Sequence, residues 1–144
     1  MSAEVVIRAA RGDDAAVLSV LSGQLGYPVE PEVMKTRVLG CDGVDRALVV
    51  AVVGGRIVGC MEVAVMTAWE SGRWSEIRGL VVLDGERSRG VGAALVGFAK
   101  EWTRGHGLAS LRVRTNEIRT RTHGFYERLG FVKTKSQRVY DIDI

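Results

Sequence analysis

The segment from Leu80 to Thr115 constrains this chain more than any other. Leu80-Val81-Val82-Leu83 is a short continuous apolar run, which reads as a buried strand. The Gly-rich turn Arg87-Ser88-Arg89-Gly90-Val91-Gly92 follows. Val91, Leu95, Phe98, Ala99 and Trp102 then recur on one helical face. Leu108 to Thr115 alternates as a strand, with Leu111 and Val113 on one side and Arg112 and Arg114 on the other. A strand–helix–strand unit from 76 to 115 demands parallel strands joined by a crossover. At its turn, unpaired backbone N–H groups and the positive end of a helix dipole meet, which makes an anion cradle. Gly90 and Gly92 carry no Cβ, so a phosphate can approach the backbone closely.

The remaining segments build a mixed sheet around that unit. Glu4 to Arg8 is short and β-branched, a first strand. Asp13 and Asp14 are placed to cap a helix whose Val17, Leu18, Leu21 and Leu25 share a face, and Gly26-Tyr27-Pro28 ends it. Pro31 suits the first turn of a second helix bearing Val33, Met34 and Val38, with Gly40 as its stop. Arg46 to Val53 and Arg56 to Met66 are strands joined by Gly54-Gly55, a strong hairpin signal. A polar loop from Ala68 to Trp74 precedes a strand from Glu76 to Leu83. Asn116 to Leu129 reads as a last helix with Gly130 as its C′ glycine, and Phe131 to Thr134 and Arg138 to Ile144 as terminal strands. The expected order is β-α-α-β-β-β-α-β-α-β-β: an α/β fold in one domain over residues 1–144, with about seven strands and four helices.

Composition removes several function classes. A hydrophobic fraction of 47% in 144 residues is ample for one continuous core. No apolar run approaches the ~20 residues of a membrane helix, and the N-terminus has no secretory pattern, so a soluble cytoplasmic protein is the default expectation. Cys41 and Cys60 have no metal-ligand spacing, and His106 and His123 are too scattered for zinc, so no metal is expected. The net charge of +3 is too small and too dispersed for a nucleic-acid tract, although arginines cluster at 87–89 and 112–128. A small molecule carrying several phosphates fits that clustering equally well.

The question is then which phosphate. A P-loop needs Gly-x-x-x-x-Gly-Lys-Ser/Thr, and the chain has no such string. A dinucleotide fingerprint needs a third glycine where Leu95 stands, and needs the turn after the first strand. A third cradle, Arg/Gln-x-x-Gly-x-Gly/Ala between strand and helix, is satisfied by Arg87 to Gly92. Asn116, Arg119, His123-Gly124-Phe125-Tyr126-Glu127 and Leu129-Gly130-Phe131 supply a second block. Together these closely resemble the GNAT superfamily of acetyl-CoA-dependent N-acetyltransferases, over nearly the whole chain. Leu25 to Pro28 is similar to a Leu-Gly-Tyr-Pro segment of small bacterial-type members related to aminoglycoside acetyltransferases. One departure is Thr122, where relatives commonly have Ala.

The resemblance implies a GNAT fold and assigns roles position by position. The backbone of Leu80, Val81 and Val82 would pair with the pantetheine arm as an extra strand, beside a bulge near Gly79 and Leu80 that splays this strand from the one ending at Thr115. The amides of Arg87, Ser88, Arg89, Gly90, Val91, Gly92 and Ala93 would hold the pyrophosphate. Asn116 would bond the pantetheine, Arg119 would contact phosphate or sit on a solvated helix face, and Tyr126 would lie beside the thioester sulfur. It also implies acetyl-CoA as co-substrate, a small-molecule or peptide amine as acceptor, no nucleic-acid or membrane partner, and a homodimer.

The chemistry follows from elementary considerations. An alkyl amine is mostly protonated at pH 7 and must lose a proton before attacking a thioester. Glu76 is the expected base, with Glu62 and Glu70 as alternatives, and Tyr126 the expected acid for the departing thiolate. A backbone N–H near Val82 can stabilise the oxyanion. The rival reading is a CoA-binding sensor that has lost catalysis. The loop Trp69 to Trp74 fits either a substrate wall or a dimer contact.

Overall fold

The computed structural model describes residues 4–86 and 90–144. Its elements are β1 (Val5–Ala9), α1 (Ala15–Leu25), α2 (Pro31–Leu39), β2 (Arg46–Val53), β3 (Arg56–Ala68), β4 (Gly72–Val82), α3 (Val91–Gly105), β5 (Leu111–Val113) and α4 (Thr120–Arg128). A 3-10 turn, Gly12–Asp14, leads into α1. The chain forms two compact units, Met1–Val113 and Arg114–Ile144.

The first unit is a sheet in the order β1-β2-β3-β4-β5. It is antiparallel from β1 to β4, and β5 joins β4 in parallel. Leu18, Leu21 and Val38 of α1 and α2 pack with Val50 and Val81 on one face. Strand neighbours point to opposite faces, so Gly59, beside Cys60, turns to the other face. There it receives α3. A Cβ built on Gly59 would lie 3.1 Å from Val91 Cγ1 and 3.4 Å from Leu95 Cδ1. Only a bare backbone lets the start of α3 sit this close to the sheet.

Local rules account for most boundaries. Gly54 and Gly55 both have positive φ, 56° and 77°, as a two-residue hairpin turn of the right twist requires. Pro31 opens α2 at its first turn. Asp14 stands at the N-cap of α1 but does not cap it with its side chain. Its carboxylate accepts instead from Arg11 N–H at 2.8 Å and from Arg8 Nη1 and Nη2 at 2.8 and 3.1 Å. The Arg8 hydrogen bond, ahead of the other influences, holds the Asp14 carboxyl below the usual carboxylate range.

Several expected elements differ. The polar loop at 68–74 shrinks to a three-residue turn, because β3 and β4 continue as a long hairpin that Gly72 closes with φ 78°. Trp69 at its tip is exposed, whereas Trp74 lies in the strand and is buried. The strand expected from 108 to 115 holds only Leu111–Val113. The last helix starts at Thr120 rather than Asn116. The Asn116 side chain takes Ile118 N–H at 3.1 Å, and that turn competes with helix. Among the described residues the sheet has five strands, not about seven: residues 131–144 carry no strand, and Val139, Tyr140, Ile142 and Ile144 are exposed.

The second unit centres on α4. Tyr126 stands edge-on to Phe125 and Phe131, at 5.0 and 5.4 Å between ring centroids. Gly130 has φ 94°, and the N–H of Phe131 closes on the carbonyl of Tyr126 at 3.1 Å, so the expected C′ glycine ends the helix.

Candidate active site

The site is organised by a defect in β4. Between Ile77 and Gly79 the register with β3 shifts, which makes a bulge at Arg78-Gly79 opposite Glu62-Val63. A bulge bends its strand and strengthens the local twist. The pairing with β5 is confined to Ser75, Ile77 and their interval, opposite Leu111 to Val113. Beyond Ile77 the outer edge of β4 has no strand partner among the described residues. The bulge and the open edge lie where a splayed slot was expected, near Gly79 and Leu80.

Alternation decides which backbone groups face that slot. The N–H of Leu83 donates to Val58 on β3 at 2.8 Å. Leu83 and Val81 therefore turn their backbone groups to β3, and Leu80 and Val82 turn theirs to the open edge. Of the three residues expected to hold an extra strand, Val81 contributes a buried side chain rather than backbone partners. The carbonyl of Val82 is already occupied, accepting from Gln24 Nε2 at 2.7 Å. Gln24 Oε1 in turn accepts from Asp84 N–H at 3.0 Å. Sequence reasoning missed Gln24. It lies next to the Leu25-to-Pro28 segment, but nothing local tells a helix-end glutamine that bonds a strand from a solvated one.

At the end of the slot the chain turns into α3. Glu86 holds Arg56 at 2.5 Å and donates its N–H to the Leu83 carbonyl at 3.0 Å. Arg87, Ser88 and Arg89, at the heart of the expected cradle, lie outside the described residues. Gly90 adopts φ 76°, a left-handed conformation costly for any residue with a Cβ, and as a glycine it brings no side chain to cap the helix. The first helical closure is Ala94 N–H to the Gly90 carbonyl, at 3.0 Å. Helix geometry leaves the N–H groups of Val91, Gly92 and Ala93 without intrahelical acceptors. The positive end of the dipole thus sits where the pyrophosphate was expected.

Glu76 lies below the bulge and is buried. Its Oε1 accepts from Trp74 Nε1 at 3.2 Å and its Oε2 from Arg78 Nη1 at 3.0 Å. The Arg112 guanidinium stacks over the Trp74 ring, 4.7 Å from its centroid. A proton can reach this carboxylate only if a donor yields or a water relays it. Glu62 sits differently. Its Oε2 accepts from Arg46 Nε at 2.7 Å, and its Oε1 has no partner among the described residues. With Leu25, Met34, Arg37, Arg46 and Gly79 it lines a cleft of ≈ 350 Å³ on the α1/α2 face. Glu70, the third candidate, lies in the exposed turn at the hairpin tip, away from the bulge. Cys41 and Cys60 are both free thiols on the same cleft. Burial pushes the Cys60 thiol up to about 12, so it is protonated and inert at neutral pH.

The second unit carries the other expected residues. Arg119 is exposed at the N-cap of α4. Asn116 lies in the turn before it, and His123 Nε2 reaches the Asn116 carbonyl at 2.9 Å, which ties the turn to the helix. Tyr126 is buried, and burial raises its phenol to about 12, so it holds its proton throughout the physiological range. Among the described residues no group of His, Cys, Asp and Glu could hold a metal ion, and no helix is long and apolar enough to cross a membrane.

Comparison with known proteins agrees with this geometry. A curated relative from Chlorobaculum tepidum, an uncharacterised N-acetyltransferase, is 29% identical over 136 residues, 94% of this chain and 81% of its own. The crystal form of aminoglycoside N-acetyltransferase AAC(6')-Iy with CoA superimposes with a TM-score of 0.86 at 19% identity, over 100% of this chain and 98% of that one. A transcriptional regulator from Bacillus halodurans gives 0.82 at 24% identity, over 96% and 100%. These likenesses show the fold. The sequence model of the acetyltransferase (GNAT) family matches residues 17–131, four-fifths of the chain from α1 through the end of α4, and the chain belongs to that family.

Proposed function

We propose that this enzyme transfers the acetyl group of acetyl-CoA directly to a small-molecule primary amine within one ternary complex. The observation that carries this reading is the edge of β4 beyond Ile77. Among the described residues it has no strand partner, so it suits an extended ligand, and it leads toward the N-terminus of α3. Leu80 offers its carbonyl and Val82 its N–H to the pantetheine arm. Gly90 to Ala93, with Arg87 to Arg89, hold the pyrophosphate. Asn116 and Arg119 complete the cofactor contacts. The likeness to aminoglycoside acetyltransferases supports a small molecule as acceptor, and the homodimer implied by the resemblance is checked by sedimentation.

In the reaction the amine nitrogen bonds to the acetyl carbonyl carbon, and the tetrahedral intermediate then breaks its C–S bond. A backbone N–H near Val82, that of Leu80 beside the bulge, meets the oxyanion of that intermediate. Tyr126, a phenol that burial keeps protonated well into the alkaline range, gives its proton to the leaving thiolate and recovers one from solvent. The amine's proton passes to a carboxylate. Glu76 is the expected acceptor, reached through water because its oxygens are engaged. The cleft supports a second reading: Glu62 keeps Oε1 open there and takes the proton directly. Both partners held in one slot supply much of the rate by proximity, and no covalent enzyme intermediate forms.

Thiol release from acetyl-CoA across a panel of amines tests the proposal. Tyr126→Phe is expected to lower kcat about 100-fold or more while leaving the acetyl-CoA KM nearly unchanged. The pH–rate profiles of Glu62→Gln and Glu76→Gln identify the base, since only its loss removes the acidic limb. CoA binding without turnover of any amine would instead make the protein a sensor.

A further inference from the structure

The cleft on the α1/α2 face also carries information about the acceptor, and the inference drawn from it rests on the transferase reading above. We propose that the acceptor carries a carboxylate beside its reacting amine, so that it is amino-acid-like and not a polycation. The charged residues lining the cleft are Arg37, Arg46 and Glu62. Arg46 is spent on Glu62, Nε to Oε2 at 2.7 Å. Arg37, on the last turn of α2, has no ion pair among the described residues. Further along β4, Glu76 is buried and held by Arg78, so it does not offset Arg37. One guanidinium is therefore left over.

That arrangement recognises two groups at once. The open Oε1 of Glu62 accepts from an ammonium, and the fork of Arg37 suits a carboxylate. Leu25, Met34, Leu48 and Val81 form apolar wall between and around them, so the side chain of the acceptor is apolar. A volume of ≈ 350 Å³ lies at the small end of ligand clefts and fits an amino acid better than a linked-ring sugar. An acceptor with several ammonium groups has only one carboxylate to meet and an unpaired guanidinium to avoid. Gly79 of the bulge lines the same cleft, which brings the acceptor to the strand defect where the thioester is proposed to lie.

The test compares leucine, leucinamide and spermidine as acceptors, with thiol release and thermal shift of the CoA-bound enzyme as separate readouts. Leucine is expected to show a KM roughly 10- to 100-fold below that of leucinamide, the usual weight of a hydrogen bond to a charged group. Arg37→Gln should raise the leucine KM to that of leucinamide and leave kcat and the acetyl-CoA KM unchanged. Arg37 is exposed, so the variant is expected to fold. Equal or better use of leucinamide or spermidine overturns the inference, as does an unchanged leucine KM in Arg37→Gln. If no amine releases thiol but leucine alone still raises the melting temperature, the transferase reading fails and the carboxylate site stands. If leucine neither binds nor reacts, the carboxylate site fails.

Discussion

Gly59 offers the most direct test of how the sheet positions the cofactor end of the site. It faces the first turn of α3, the turn whose N–H groups are proposed to receive the pyrophosphate. In Gly59→Ala the new methyl carbon would stand 3.1 Å from the Val81 carbonyl oxygen and 3.1 Å from Val91 Cγ1. Neither neighbour has room to yield. The carbonyl belongs to the backbone of a paired strand, and Val91 is fully buried. Overpacking of this kind costs about 1–3 kcal/mol. The alanine also narrows the unfolded ensemble, which offsets about 0.4–1 kcal/mol. The net loss is roughly 1–2 kcal/mol, or a fall in Tm of roughly 3–7 °C for a chain of this size. Gly97, on the exposed face of α3, is the control. A Cβ there meets nothing within 4 Å, and φ is not positive, so Gly97→Ala should stabilise by up to ~1 kcal/mol. Urea melts of both variants, with titration of CoA into each, provide the assay. Displacement of α3 in Gly59→Ala should weaken CoA binding several-fold, whereas Gly97→Ala should leave it unchanged. If Gly59→Ala is as stable as the parent and binds CoA equally well, α3 is not seated on this glycine and the account of the cradle is wrong.

Three further outcomes are expected. Asp14→Asn should destabilise by about 1–3 kcal/mol at pH 7. Because the folded carboxyl is held low, chiefly by Arg8, the stability it provides is present above the unfolded value and is lost as pH falls through the folded one. The difference between parent and variant in urea melts should therefore shrink below about pH 4. For Tyr126 the sign is reversed: a phenol raised from 10.0 to about 12 contributes stability that is complete below pH 10 and lost as pH climbs toward 12. Tyr126→Phe should flatten that alkaline decline in Tm, measured from pH 9 to 11.5. Gln24→Ala should lose about 1 kcal/mol in denaturant melts and raise the acetyl-CoA KM several-fold, by releasing the Val82 carbonyl and the turn at Asp84.

Much of the fold could be read from local signals because they act locally. The apolar run before the Gly-rich turn, the paired Gly54-Gly55, Pro31 at the start of α2 and Gly130 at the end of α4 each need only a few neighbouring residues to take effect. The errors lie where a pattern needs a distant partner. The alternation of Arg138 to Ile144 describes a strand only if another edge receives it, and among the described residues the segment is unpaired and exposed. The polar string from Ala68 to Trp74 resembles a loop, yet pairing across the hairpin draws most of it into β3 and β4. At Asn116 a side-chain turn won over a helical pattern that looked continuous.

The same division runs through the site. The residues proposed to make an anion cradle stand out in the sequence alone, since glycines, an arginine and a helix start are a matter of composition and order along a few turns. The sequence also determined the family, which its motifs and their spacing carry without reference to shape. Tertiary structure decided which backbone groups are available: alternation against β3 withdraws Val81 and presents Leu80 and Val82, and Gln24, far away in sequence, occupies one of those groups. It decided the standing of the carboxylates as well. Glu76 and Glu62 are equivalent as letters, but one is buried between a tryptophan and an arginine, and the other keeps an oxygen open to a cleft beside Arg37. Covalent order fixes which groups exist and their near neighbours; which of them remain free to meet a ligand depends on contacts that only the packed chain brings together.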